Sequence, residues 1–161
     1  MRALLALLVL LPGLAAAQER GPVTDLPLPR YVSMKAAEGY ARRGPASDQR
    51  VDWVFVRRNM PLRIVDEYGH WRRVQDRDGE GGWMHYSLLS GNRTVIVEAD
   101  EAALRRRPDA EARAVATLRR DVVGRLGECG GGWCQVTADG HKGWIETGAL
   151  WGVARDELHG D

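Results

Sequence analysis

The chain contains two copies of one unit, and this internal repeat constrains its fold more than any other feature. Residues 52–74 (DWVFVRRNMPLRIVDEYGHWRRV) align with residues 114–136 (AVATLRRDVVGRLGECGGGWCQV) at an offset of 62. Residues 79–91 (GEGGWMHYSLLSG) align with residues 140–152 (GHKGWIETGALWG) at an offset of 61. Apolar, charged and glycine positions match in the same order, so we predict two units that share one fold.

Each unit has the sequence pattern of short β-strands. Residues 51–56 (VDWVFV) are rich in β-branched and aromatic residues, whereas residues 62–68 (LRIVDEY) and 71–76 (WRRVQD) alternate. Turn-forming Gly-His and Asp-Gly pairs separate these runs. Strands this short, joined by hairpins, must close or pack to bury one face and hide their edges. We therefore predict an all-β fold of two tandem small β-barrels with a short linker and little helix.

One segment favours a different structure when it is taken alone. Residues 98–120 are rich in alanine, glutamate and arginine, which favour helix. Their counterpart in the first unit, residues 40–58, contains a Gly-Pro pair and several β-branched residues, and is a poor helix former. Because two copies of one unit should share a fold, we predict strands in both segments.

Residues 1–17 have the pattern of a secretory signal peptide. Arg2 supplies a positive charge, Ala3–Leu11 form an apolar run, and Ala15–Ala17 fit the small-residue cleavage pattern. The run is shorter than the roughly 20 residues that a membrane span needs. We expect cleavage after Ala17 and a periplasmic or secreted protein with no integral membrane segment after signal removal.

The charge balance and the histidine spacing narrow the set of partners. Without Arg2, the chain has 22 basic and 22 acidic residues, so we expect no nucleic-acid partner. The histidines lack the paired spacing of a metal site, so we expect no metal and no cofactor. The sequence indicates no oligomeric state. The four histidines are His70, His85, His141 and His159.

The order of short motifs, which occurs twice, resembles the bacterial SH3-like (SH3b) domain family of exported proteins. It consists of LRRRP at 104–108 (ARRGP at 41–45), a strand ending in two charged residues, a GxW hairpin, a GW pair and an xLxG ending. The resemblance covers about residues 26–152. It implies a half-open barrel of five to six strands per unit, and binding at the cell envelope, often to peptidoglycan or its peptide stems.

The resemblance and the repeat together predict the domain organisation. After the signal peptide, an extended lead-in is expected over residues 18–30 and a C-terminal tail over residues 156–161. The lead-in contains LPLPR at 26–30, where alternating prolines favour an extended strand. The alternative is a polyproline ligand that docks on the protein itself. The two SH3-like domains are predicted at residues 31–93 and 94–155.

The only two cysteines, Cys129 and Cys134, lie around three glycines and a tryptophan. A cysteine nucleophile needs a base in reach, and His141 is a candidate. Two cysteines in an exported chain are more typical of one disulfide, so we predict a Cys129–Cys134 bridge and no catalytic residue. The sequence thus indicates a protein that is not an enzyme.

The repeat places Cys129 at the position of Glu67, and Cys134 at the position of Arg72. Both pairs make sense if the two positions face each other across a hairpin, where Cα atoms lie about 4.5–5.5 Å apart, within disulfide range. We therefore predict a Glu67–Arg72 ion pair at the surface of the first unit, where the second unit has its disulfide.

Aromatic residues divide into a repeated and a non-repeated set. We expect the repeated ones to be structural, in the barrel core or in a hairpin: Trp71, Trp83, Trp133 and Trp144. Four others occur in the first unit only and are our candidate ligand-binding residues: Tyr40, Trp53, Tyr68 and Tyr86. Trp151 is the reverse case, because unit one has Ser90 at its position. Residues that the shared fold does not require are freer to stack on sugars or peptides. For each one alone, packing against the other unit is the alternative.

These observations predict a non-enzymatic, exported binding protein. Its expected ligand is a peptide or glycan of the cell wall. The alternative is a regulatory or structural partnership with another envelope protein, which the neutral charge also suits.

Overall fold

Two antiparallel sheets account for almost all regular structure among the residues that the structure describes. The computed structural model describes residues 18–154 and residue 157. Among these residues, each sheet has seven strands and the helical content is limited to short turns, which confirms the all-β prediction. Among the described residues, no helix is long and apolar enough to cross a membrane. The predicted signal peptide and most of the predicted C-terminal tail lie outside the described residues.

Unit one comprises seven strands and one 3₁₀ turn (Tyr86–Leu88). Its strands are Arg30–Met34 (β1), Gly39–Arg42 (β2), Val51–Phe55 (β3), Pro61–Tyr68 (β4), Trp71–Gln75 (β5), Gly81–His85 (β6) and Leu89–Ser90 (β7). They are hydrogen-bonded in the order β3-β2-β6-β5-β4-β1-β7. This is more than the five or six strands that the resemblance implies, because two-residue β7 adds to the edge beside β1.

Unit two repeats this arrangement, with a 3₁₀ turn at Thr147–Ala149. Its strands are Thr94–Val97 (β8), Glu101–Arg105 (β9), Ala114–Arg119 (β10), Val123–Gly130 (β11), Trp133–Ala138 (β12), His141–Glu146 (β13) and Leu150–Trp151 (β14). Their order, β10-β9-β13-β12-β11-β8-β14, is that of unit one. Residues 98–120, whose composition favours helix, contain strands β9 and β10. The repeat therefore predicted the structure of this segment better than helix propensity did.

The repeat extends to the backbone conformation of single residues. Asn59 and Asp121, which align at an offset of 62, have φ angles of 62° and 70°. Asparagine and aspartate tolerate this left-handed region better than most residues with a side chain. Both residues turn the chain just before a long strand, β4 or β11.

Each sheet encloses its own apolar core. The core of unit one consists of Leu28, Val32, Met34, Ala41, Phe55, Leu62, Ile64, Val74 and Met84. The core of unit two consists of Val95, Val97, Leu104, Leu118, Leu126, Cys134, Val136, Ala138, Ile145 and Leu150. The four repeated tryptophans lie on hairpin strands and are half-buried, so of the two expected places, the barrel core or a hairpin, they occupy the hairpins. Smaller side chains occupy the barrel interiors.

The lead-in packs against unit one after a turn of its own. Arg20 and Pro27 form an isolated antiparallel bridge, and the Gly21 amide donates to the Leu26 carbonyl (2.8 Å). The segment therefore folds back on itself, whereas the alternating prolines predict an extended strand. The turn brings Leu28 into the core, where it is 5% exposed. Burial of this side chain stabilises the docked lead-in by roughly 2 kcal/mol.

The two units contact each other through aromatic and charged groups. Trp151 packs edge-to-face on Tyr31, with ring centroids 5.1 Å apart. The Arg93 guanidinium lies 5.6 Å from the centroid of the Tyr31 ring and donates to the Gly152 carbonyl (2.7 Å). Packing against the other unit therefore explains Trp151, an aromatic residue that unit one lacks at the equivalent position, Ser90.

Cys129 and Cys134 form the predicted disulfide. They are opposed in the β11–β12 hairpin, with Cα atoms 4.1 Å apart, as Glu67 and Arg72 are opposed in the β4–β5 hairpin. Both registers agree with the alignment of the two units. The Cys134 side chain belongs to the core of unit two, so the bridge connects a hairpin directly to the packed interior.

Replacing both cysteines with alanine is expected to lower the free energy of unfolding by roughly 2 kcal/mol, because the bridge restricts a short loop in the unfolded chain. Urea unfolding monitored by circular dichroism measures this change. Reducing agent should destabilise the wild type similarly and leave the variant unaffected. Equal midpoints for the oxidised wild type and the variant would refute the stabilising role.

Candidate functional site

One end of the β4–β5 hairpin carries exposed and half-buried aromatic side chains. Tyr68 is opposed to Trp71 across the hairpin, and Trp71 is opposed to His85 on β6. Opposed residues in antiparallel strands point to the same face of the sheet. The Trp71 and His85 rings meet edge-to-face with centroids 5.6 Å apart. Tyr68, which is 65% exposed, is therefore the outermost member of a row of three rings.

His70 and Tyr86 continue this row. The Tyr86 ring lies 4.9 Å from the ring of His85 and 5.7 Å from that of His70, measured between centroids. The Tyr86 amide donates to the His70 carbonyl (2.9 Å), which ties the 3₁₀ turn to the hairpin loop. Tyr86 is 49% exposed, so the stacked rings leave a face open to solvent.

Tyr40 lies on the same side of the sheet. Tyr40 and Arg42 are two residues apart on β2 and therefore share one face of the sheet. Arg42 is opposed to Trp83 on β6. Trp83 and His85 share one face of β6 because they are two residues apart. We use the name aromatic face for the set Tyr40, Tyr68, His70, Trp71, Trp83, His85 and Tyr86.

Trp53, the fourth candidate residue, lies away from the aromatic face. It is opposed to the buried Ala41, the neighbour of Tyr40 on β2, and so points to the other side of the sheet. Its ring contacts Phe55 edge-to-face at 6.4 Å and lines a cavity between the two units. The structure thus brings together three of the four candidates. A binding role for any of them stays a prediction.

Sequence reasoning missed the two histidines of this face. His70 and His85 are 15 positions apart in the chain, yet their ring centroids lie 5.9 Å apart. The signal that could have found them is the strand register, because Trp71 and His85 are opposed and His70 precedes Trp71. Among the described residues, no group of three or more His, Cys, Asp or Glu side chains could hold a metal ion.

A buried carboxylate lies beneath the aromatic face. The predicted Glu67–Arg72 pair exists, with Nε and Oε1 3.5 Å apart, but the prediction that it lies at the surface is wrong. Glu67 is only 3% exposed, because the lead-in covers it. Its Oε2 accepts hydrogen bonds from the amides of Val23 (3.1 Å) and Thr24 (2.9 Å). Oε1 accepts from the Thr24 hydroxyl (2.7 Å) and from Arg30.

These contacts keep Glu67 ionised. Burial opposes the charged form, but the hydrogen bonds from Thr24 and Arg30 outweigh it and lower the pKa of Glu67 from 4.5 to about 2. A difference of this size between folded and unfolded chain corresponds to roughly 3 kcal/mol of stability at neutral pH. The carboxylate therefore holds the lead-in against the β4–β5 hairpin.

Arg72 connects this carboxylate to the aromatic face. Its Nη1 donates to the carbonyls of Gly69 (2.9 Å) and Trp71 (2.8 Å) in the hairpin loop. Its guanidinium carbon lies 6.0 Å from the centroid of the Tyr86 ring. The ion pair beneath the hairpin thus fixes the loop that carries the exposed rings, which reduces the entropy lost when a ligand binds them.

Unit two has a groove at the position of the aromatic face. Its volume is about 330 Å³, and Glu101, Ala103, Trp133 and Glu146 are among its lining residues. Ala103 replaces Tyr40 in the alignment, and Glu146 replaces His85.

In unit one, Tyr40 donates to the Glu38 carboxylate (2.7 Å), a bond that raises the pKa of Tyr40. The two units therefore share a backbone but present different chemistry on the same face.

The chain belongs to the bacterial SH3 domain family. The family's sequence profile matches it twice, over residues 35–91 and 98–152. The predicted resemblance and the tandem arrangement are thereby confirmed. No curated protein matches the chain.

Several solved structures resemble the chain at low identity. NlpC2 from Trichomonas vaginalis is 13% identical, with 82% of this chain and 51% of that chain covered and a TM-score of 0.38. NlpC1 from the same organism is 14% identical, with coverage of 76% and 45% and a TM-score of 0.35. An NlpC/P60 family protein from Bacillus cereus is 12% identical, with coverage of 75% and 55% and a TM-score of 0.33. The chain spans about half the length of these proteins.

Replacing Glu67 with glutamine is expected to destabilise the fold in a pH-dependent way. Because the pKa of Glu67 is depressed, its contribution is fully present above about pH 4.5 and is lost as pH falls through about 2. Urea unfolding should show a loss of about 2–3 kcal/mol at pH 7 that shrinks by more than half at pH 3. Glu128→Gln, at an exposed position of unit two, is the control. A difference that is constant with pH would contradict the assignment.

Proposed function

We propose that the chain is a non-enzymatic binding protein of the cell envelope that recognises a peptide or glycan of the cell wall. The family to which it belongs supports a binding module, and its disulfide fits a periplasmic or extracellular protein. Export after cleavage at Ala17 and domains at residues 31–93 and 94–155 are parts of the same proposal. Both cysteines are in the disulfide, which leaves no thiol for nucleophilic catalysis.

The observation that carries this proposal is the difference between the two units. Tyr40, Tyr68 and Tyr86 are 45%, 65% and 49% exposed on unit one. Unit two has alanine, glycine and threonine at these positions and folds into the same sheet. The three rings are therefore not required by the fold. Exposed aromatic residues that a fold does not need are typical of a binding surface.

The chemistry of the face suits a cell-wall ligand. Tyrosine and tryptophan rings stack on the apolar faces of sugars and on peptide groups, while the tyrosine hydroxyls and histidine nitrogens offer hydrogen bonds. Arg73 is exposed on the same side of the sheet, since it is opposed to Trp83. Its guanidinium can pair with a carboxylate of a cell-wall peptide. Rings beside an exposed guanidinium suit a ligand that combines sugar or peptide with carboxylate.

Purified peptidoglycan is expected to retain the wild-type protein in a sedimentation assay at physiological salt. The double variant Tyr40→Ala/Tyr86→Thr places the residues of unit two on unit one, so the fold should tolerate it. Loss of two aromatic contacts should reduce retention about tenfold or more. The control variant is Thr147→Ala, which truncates the counterpart of Tyr86.

Two results would sink this proposal. One is the absence of retention of the folded wild-type protein at physiological salt. The other is equal retention of the wild type and the double variant, when circular dichroism shows both to be folded. The first result would favour the alternative function, a partnership with another envelope protein. The second would show that cell-wall binding does not use the aromatic face.

A further inference from the structure

The edge strand β3 of unit one is largely apolar, and within the strand its protection is limited to one bulge at Asp52. Among the described residues it pairs only with β2, so its outer backbone groups have no strand beside them. Trp53, Val54 and Val56, on and directly after this strand, are 39%, 41% and 74% exposed. Natural edge strands are usually protected by charges, bulges or covering segments. The one charged side chain within β3, Asp52, is held by Arg43 (3.1 Å) and Arg50 (2.7 Å).

The equivalent strand of unit two lacks this character. The strand registers place Ala116 of β10 at the position of Trp53, and Thr117 at that of Val54. Leu118 corresponds to Phe55, and both are buried in the cores of their units. The shared fold therefore does not require the apolar edge of unit one.

A cavity of about 290 Å³ adjoins this edge. Trp53, Phe55 and Met60 line it from unit one, and Ile96 and Asp121 line it from unit two. Because both units contribute, the cavity exists only when the units are in contact. Its volume and apolar walls suit one or two large aliphatic side chains.

Arg77 supplies an unused donor in the same cavity. Its Nη2 forms an ion pair with Asp121 of unit two. Its Nη1 is buried, and no hydrogen-bond partner for it exists among the described residues. A buried guanidinium nitrogen without an acceptor costs free energy, which an incoming oxygen atom would recover.

We propose that the β3 edge and this cavity bind an extended segment of a partner protein, with an apolar centre and acidic residues at its ends. The segment adds a strand beside β3 through main-chain hydrogen bonds. One of its apolar side chains enters the cavity next to Trp53. A carboxylate or carbonyl oxygen of the segment accepts from Arg77 Nη1.

The charge at the two ends of β3 selects a partner over a second copy of this chain. Arg50 precedes the strand, and Arg57 and Arg58 follow it. Antiparallel pairing of two β3 strands centred between Trp53 and Val54 would oppose Arg50 to Arg57, and like charges directly opposite each other are destabilising. An acidic-ended segment meets these same arginines favourably. The site uses none of the residues of the aromatic face, so it is independent of cell-wall binding.

Two synthetic peptides test the proposal with the full-length protein. Both have a nine-residue sequence with alternating valine and threonine in the centre, and they carry two glutamates or two lysines at each end. Fluorescence anisotropy of the labelled peptides should show saturable binding of the glutamate peptide at least tenfold tighter than that of the lysine peptide. Amide hydrogen exchange of β3 should slow on binding, since its outer amides gain acceptors.

Matched variants locate the site. Trp53→Ser should weaken binding of the glutamate peptide at least tenfold, whereas Ala116→Ser, at the equivalent position of unit two, should leave it unchanged. Arg77→Gln should reduce the preference for glutamate over lysine ends. Retention on peptidoglycan should be the same for wild type and Trp53→Ser, which separates this site from the cell-wall proposal.

Several outcomes would overturn it. These are no saturable binding of either peptide, equal binding by wild type and Trp53→Ser, or unchanged exchange of the β3 amides. A dimer in sedimentation equilibrium that Val56→Lys dissociates would assign the edge to a second copy of the chain instead.

Discussion

The buried Glu67 carboxylate is the interaction on which the arrangement of unit one depends. A lone charge in an apolar interior is strongly unfavourable, so its position is acceptable only because amides, a hydroxyl and two arginines surround it. The donors come from the lead-in and from the β4–β5 hairpin, which are distant in sequence. One side chain therefore determines both how the chain enters the first barrel and how the hairpin bearing the exposed rings is held.

The two units show how one backbone can carry two surfaces. The strand order, the 3₁₀ turns and the left-handed turn residues coincide, because they follow from the repeated apolar and turn positions. The side chains that differ lie on the outer face and on the edge strand, where packing imposes few limits. Aromatic residues are clustered on the outer face of unit one. Unit two has small residues and carboxylates on the same face, which leave a groove. The division of roles proposed above follows from this asymmetry.

Much of the fold was predictable from the sequence, because a structure predicted for one unit can be checked against the aligned residues of the other. The repeat gave the strand assignment of residues 98–120 against their helical composition, and the registers of Glu67 with Arg72 and of Cys129 with Cys134. Burial was harder to predict. The depth of Glu67 depends on a lead-in without a repeated counterpart, and the row formed by His70, His85 and Tyr86 depends on pairing between strands. Similarly, the side of the sheet on which Trp53 lies depends on its pairing with Ala41.

The exchange of an ion pair for a disulfide at the same place in the two hairpins means that the units respond to different chemical conditions. Acid removes the charge on Glu67 and so loosens unit one, whereas the bridge in unit two does not titrate. A reductant acts on the bridge and leaves the carboxylate untouched. In this chain neither change removes the hairpin anchors of both barrels at once, so one barrel keeps its anchor when the other loses it.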